Sequence, residues 1–131
     1  MTDDKRQVIL IKNFNKYVDT LSTFLMELTP NSLLKIYKSE LERLIKNDSK
    51  VMIDTFCLNI LKYEDEIMGG DEGFFLNLDY DSDDKDMISK GFEFKKIWHK
   101  LSEDNKTSIK QYMQLLCRIG RSYFEIIIEN K

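Results

Sequence analysis

The sequence predicts an all-α fold, a compact bundle of about five helices joined by one long acidic loop. Three observations lead there. Apolar residues recur at helical spacing through most of the chain. Helix breakers are scarce, with one proline and five glycines in 131 residues. The acidic residues crowd into one stretch that lacks a clean period. Across 62–86 there are ten Asp and Glu residues against Lys62 and Lys85 only, although the whole chain carries a net charge of just −3. The segments on either side read as near-neutral (1–61) and basic (87–131).

The first helix is expected over about 3–28. Ile11, Phe14, Val18, Leu21, Leu25 and Leu28 follow one another at steps of three and four, which puts them on one helical face. Thr2 suits an N-cap, and Asp3 and Asp4 sit at the positive end of the helix dipole. Thr29-Pro30-Asn31 ends the element, because the residue before proline is pushed out of the helical region. A second helix is expected over 32–46 with Leu34, Tyr37, Leu41 and Leu44 as its stripe, and Asn47-Asp48-Ser49 as the turn after it. A third, expected as one unbroken helix over 50–68, has a wider apolar face that includes Ile53, Phe56, Cys57, Ile60, Leu61 and Ile67. Such width suits a central helix with several neighbours. Gly69-Gly70 stops it.

The acidic loop is placed at about 69–85. A fourth helix over 84–101 carries Ile88, Phe92, Ile97, Trp98 and Leu101, with Gly91 weakening its middle. Ser102 then reads as an N-cap, with Glu103 and Asp104 in the first turn of a fifth helix that runs to about 129. Ile109, Tyr112, Met113, Leu116, Ile119, Tyr123 and Ile127 mark its expected buried face. Trp98 and Cys117 read as core. No repeat is visible, and the whole of 1–131 reads as one domain, long enough to bury roughly two-thirds of its unfolded surface.

The chain contains no alanine, and lysine outnumbers arginine sixteen to four. Frequent Lys, Ile and Asn suggest an AT-rich genome. Without the strongest helix former, these helices depend on burying apolar faces. No apolar run reaches the ~20 residues of a membrane-spanning helix, and the N-terminus lacks a signal-peptide layout. Two cysteines, Cys57 and Cys117, suit buried thiols in a reducing, intracellular compartment.

Chemical motifs are sparse. Asp79, Asp81 and Asp83 have the alternating spacing of a calcium loop, but the positions that need glycine and a bidentate glutamate are Asp84 and Lys90. That stretch reads as a solvated acidic loop, and no metal or cofactor is expected. His99 is the single histidine. A Cys–His pair with either cysteine has no supporting spacing, and there is no phosphate loop or nucleophile elbow. The expectation is a protein that is not an enzyme. Phe74, Phe75 and Tyr80, set among Asp79, Asp81 and Asp83, are the candidates for binding a partner protein, since aromatic anchors suit hot spots. The alternative is that the phenylalanines lock the loop onto its own core. Lys95, Lys96, Lys100, Lys106 and Lys110 are the candidates for a second reading, a nucleic-acid-associated accessory factor. The acidic total works against that reading. A third reading is a helical-bundle regulator of host signalling or cell death, with a groove for a partner helix. The stripe of the first helix serves either the bundle or a homodimer.

Two stretches carry a resemblance. They are Ile97-Trp98-His99-Lys100-Leu101-Ser102-Glu103-Asp104-Asn105-Lys106 with Ile109, Tyr112 and Leu115-Leu116 after it, and Asp71-Glu72-Gly73-Phe74-Phe75. Together, over about residues 50–120, they resemble a group of small uncharacterised α-helical proteins of nucleocytoplasmic large DNA viruses. Lys110-Gln111 departs from the group's pattern, which has a second tryptophan before the tyrosine. The resemblance implies a small helical viral protein with a viral or host protein partner, acting in interaction or as a minor virion component. Its setting would be the host cytoplasm, the virus factory or the virion. It supplies no catalytic residue.

Overall fold

The computed structural model describes residues 3–28, 32–70 and 98–129, and every element among them is helical. Helix α1 spans Asp3–Leu28, α2 Ser32–Asn47 and α3 Val51–Asn59. A single 3₁₀ turn, Leu61–Tyr63, leads into the short α4, Glu64–Met68. Residues 98–100 are helical, and α5 spans Glu103–Glu129. The all-α fold is therefore as the periodicity predicts. The acidic segment beyond Gly70 and most of the expected fourth helix lie outside the described residues.

The ends of the elements follow their local chemistry. After α2, the Asp48 carboxylate accepts from the Lys50 N–H at 3.0 Å, which closes the turn into α3. Ser102 caps α5, its Oγ accepting from the Asn105 N–H at 3.2 Å. At the end of α4 the Gly70 backbone turns to φ +71, a conformation that costs glycine nothing. The chain Ile126-Ile127-Ile128 stays inside α5.

The expected unbroken third helix is corrected. It divides at residues 60–63, where the Tyr63 N–H bonds the Ile60 carbonyl at 2.9 Å in the tighter three-residue pattern. No glycine or proline causes this, and tertiary packing accounts for it. Eleven residues are about three α-helical turns. An unbroken helix would place the Glu64 carboxylate directly in line with Ile53 on the buried face, and would turn Leu61 away from it. The 3₁₀ turn reverses both. Leu61 and Ile67 are buried, Ile60 only half so, and Glu64 is brought to the edge of the core.

α5 is the spine of the bundle. It packs along α1 and also against α3, the 3₁₀ turn and α4, while α2 leans on α1 and α3. The pairing of α1 with α5 is antiparallel. Phe24 meets Tyr112 near the start of α5, with ring centroids 5.8 Å apart. Phe14 sits further along, edge-on to Phe56 at 5.2 Å, and Phe56 in turn covers Gly120. Trp98 and Cys117 are fully buried, as expected of core residues. Near the end of α5 the buried residue is Ile126, with the expected Ile127 half-buried beside it.

The contact at Gly120 is tight. A methyl group there would lie 3.1 Å from Phe56 Cδ1 and 3.3 Å from Cε1. Phe56 is braced by Phe14 and cannot withdraw cheaply. Gly120→Ala is therefore expected to destabilise the protein by about 1 kcal/mol, because overpacking of about 1–3 kcal/mol outweighs the ~1 kcal/mol gain in helix propensity. In a Phe56→Leu background the same substitution is expected to stabilise. Urea titrations of the four proteins of this cycle check the change of sign.

Candidate functional site

A set of reactive and polar side chains gathers on the seam between α5 and the α3–α4 segment. α5 presents Gln114, Cys117, Arg121 and Tyr123, and the facing segment presents Asp54, Cys57 and Glu64. The Tyr123 hydroxyl donates to Asp54 Oδ1 at 2.8 Å. Arg121 donates through Nη2 to Glu64 Oε1 at 2.9 Å and through Nε to Oε1 at 3.2 Å. Gln114 Nε2 donates to the carbonyls of Ile67 and Met68, both at 3.3 Å, and so satisfies the end of α4. The Cys57 thiol donates to the Gly120 carbonyl at 3.4 Å.

Burial and neighbouring carboxylates keep the two thiols and the phenol protonated at neutral pH. Burial, and then the Asp54 carboxylate, push the Cys57 thiol up to about 11. Burial, and then Glu64, push Cys117 up to about 11 as well. Arg121 opposes both shifts without reversing them. Thiolates are the nucleophiles and metal ligands, and at neutral pH both cysteines stand as thiols. Burial and the Asp54 hydrogen bond also raise the Tyr123 hydroxyl. The Arg121 guanidinium is raised by its hydrogen bonds to Glu64. His99 is exposed.

The other sequence candidates divide. Phe74, Phe75, Tyr80, Asp79, Asp81, Asp83, Lys95 and Lys96 lie outside the described residues. Lys100 is exposed. Lys106 is half-buried, ion-paired with Glu103 at 3.4 Å, and has its ammonium 5.8 Å from the centre of the Trp98 ring. Lys110 is half-buried, its stem packed beside Gly70. The described members of this basic set are thus partly committed to local contacts and do not form a single open patch. Asp54, Glu64, Arg121 and Tyr123 escape a sequence reading as a group, since the partners stand 57 and 69 positions apart.

Among the described residues, no group of three or more His, Cys, Asp or Glu side chains is placed to hold a metal ion, and no helix is long and apolar enough to cross a membrane. Among the described residues, the exposed large apolar side chains are Val8, Ile9, Ile36, Leu58, Met68 and Ile128, with Leu58 80% and Val8 63% exposed. No family model, curated protein or solved structure matches the chain.

The raised thiols give the bundle an alkaline weakness. A cysteine in the unfolded chain ionises near 9, whereas Cys57 and Cys117 hold their protons to about 11. Between these values the unfolded state has lost protons that the folded state keeps, so stability is full below pH 9 and falls as pH rises toward 11. The loss reaches on the order of 2 kcal/mol per thiol. Denaturation midpoints from pH 7 to 11 are expected to drop more steeply for the natural protein than for a Cys57→Ser/Cys117→Ala variant. Tyr123→Phe is expected to cost about 1–2 kcal/mol at neutral pH by removing the bond to Asp54.

Proposed function

We propose that this chain is a non-enzymatic interaction protein of a large DNA virus, docking to a viral or host protein or serving as a minor virion component. The observation that carries the reading is the division of labour between interior and surface. The Cys57 thiol, the Arg121 guanidinium and the buried Tyr123 phenol are spent on holding helix to helix. Aliphatic side chains such as Leu58 and Val8, by contrast, face solvent. Contiguous exposed apolar surface is what protein partners cover, and Val8 and Ile9 adjoin on α1. The viral assignment rests on the sequence resemblance and on the AT-rich residue usage.

On this reading the acidic segment supplies charge for a basic partner, and Phe74 and Phe75 supply anchors. Replacing both phenylalanines with alanine is expected to abolish capture of specific partners from the native cells at moderate salt, with the melting temperature held within a few degrees. The check is affinity capture read by mass spectrometry, alongside thermal denaturation of the same variant. Retention of every partner by the variant would remove the segment from the reading. Recovery dominated by nucleic acid, and lost steeply as salt rises, would replace it with the accessory-factor reading.

A further inference from the structure

Between the second half of α1 and the first half of α5, the pair Phe24–Tyr112 divides the groove into two clefts. One, of about 350 Å³, is lined by Asp19, Thr20, Thr23, Phe24, Glu27 and Tyr112. The other, of about 210 Å³, is lined by Phe24, Ser108, Gln111, Tyr112 and Leu115. The larger falls in the range of small-ligand clefts, about 300–1,000 Å³.

Its chemistry is specific in sign. Phe24 and Tyr112 are only half-buried, their planes tilted by 51°, so ring surface stays open to the cleft. The α1 wall adds the exposed carboxylates of Asp19 and Glu27, two turns apart on one face. Among the described lining residues α5 contributes no charge. Lys38 of α2 bonds Asp19 at 3.3 Å and also pairs with Glu42, so the cation on the Asp19 side is already divided between two acids. Glu27 is the second carboxylate of the wall. Open ring surface beside carboxylates attracts a cation, and a planar guanidinium gains most, because it stacks on a ring while its edge bonds a carboxylate.

We infer that the Phe24–Tyr112 cleft seats an arginine side chain from a basic segment of a partner protein, stacked on the rings and paired with Glu27. This rests on the interaction reading but uses a face distinct from the acidic segment, so the two can fail separately. The thiol pair on the α3–α5 seam has no such opening, since Cys117 is sealed.

The test uses the full chain and N-acetyl-L-argininamide as probe, with the neutral N-acetyl-L-norleucinamide as control, followed by NMR. The arginine probe is expected to shift signals of Thr20, Thr23, Phe24 and Tyr112 and to saturate at about 1–10 mM. Glu27→Gln, an exposed change that leaves the core intact, is expected to weaken binding about threefold, the scale of an exposed ion pair. Phe24→Leu is expected to abolish saturation, with folding verified from the remaining spectrum. Equal shifts with norleucinamide would mean an apolar groove and overturn the proposal. So would arginine shifts scattered over the acidic surface and unchanged by Glu27→Gln, or no saturable shift at all. None of these outcomes would touch partner capture that depends on Phe74 and Phe75.

Discussion

The bundle depends on how closely α3 can approach α5, and that distance is set at Gly120. Because the residue has no Cβ, the Phe56 ring lies against helix backbone, with the Cys57 sulfur beside it. Phe56 then offers its face or edge to Phe14, and three helices meet around two rings. Seating one such ring is worth roughly 2–3 kcal/mol of burial. A chain without alanine has few small residues to place at a helix crossing. Here glycine does so at the expense of about 1 kcal/mol in helix propensity, and the packing it permits offsets that cost. The divided third helix follows from the same constraint. With Phe56 fixed against α5, the tightening at residues 60–63 goes with a buried Leu61 and a Glu64 held at the edge of the core.

Apolar contact is non-directional, so it would tolerate a sliding of α5 along the α3–α4 segment. The polar pairs remove that freedom. Gln114, Arg121 and Tyr123 succeed one another along α5 and meet the end of α4, Glu64 and Asp54 respectively. The order along the two segments is opposite, as an antiparallel crossing requires. Each bond contributes little by itself. Arg121 and Glu64 are about a third exposed, and such a pair is worth less than about 1 kcal/mol after solvent screening. Their effect lies in direction: a shift of one helical turn would break all three contacts and bury a carboxylate without its partner, an outcome far more costly than the bonds themselves.

The long elements were legible because three-and-four spacing in α1 and α5 has no competing interpretation. Element boundaries were legible too, since Ser102 before α5, Asp48 after α2 and Gly70 after α4 act within a few residues of themselves. The break at Ile60-Leu61 was not legible. Both residues are apolar, no breaker adjoins them, and the choice of which to bury is made by packing against α5, which is distant in sequence. Ile126 and Ile127 show the same limit on a smaller scale, because three isoleucines in a row leave the final quarter-turn to the neighbours. Trp98 and Cys117 could be assigned to the core from their place in a stripe. The polar seam could not be assembled from sequence, since Asp54 and Glu64 look like ordinary surface acids until α5 lies across them.

The two ends of the α1–α5 pair are therefore built differently. Around Gly120 an absent side chain lets a third helix in, and Asp54, Cys57, Glu64, Arg121 and Tyr123 find internal partners. Around Tyr112 two bulky rings face each other across the crossing. Space remains on both sides of the ring pair as a result. Large side chains that prop helices apart also leave aromatic surface in contact with water, and that surface has a negative face. The carboxylates of Asp19 and Glu27 reinforce its sign. A bundle that spends its reactive groups on its own assembly thus keeps at its other end a chemically biased opening, and the bias selects for cations.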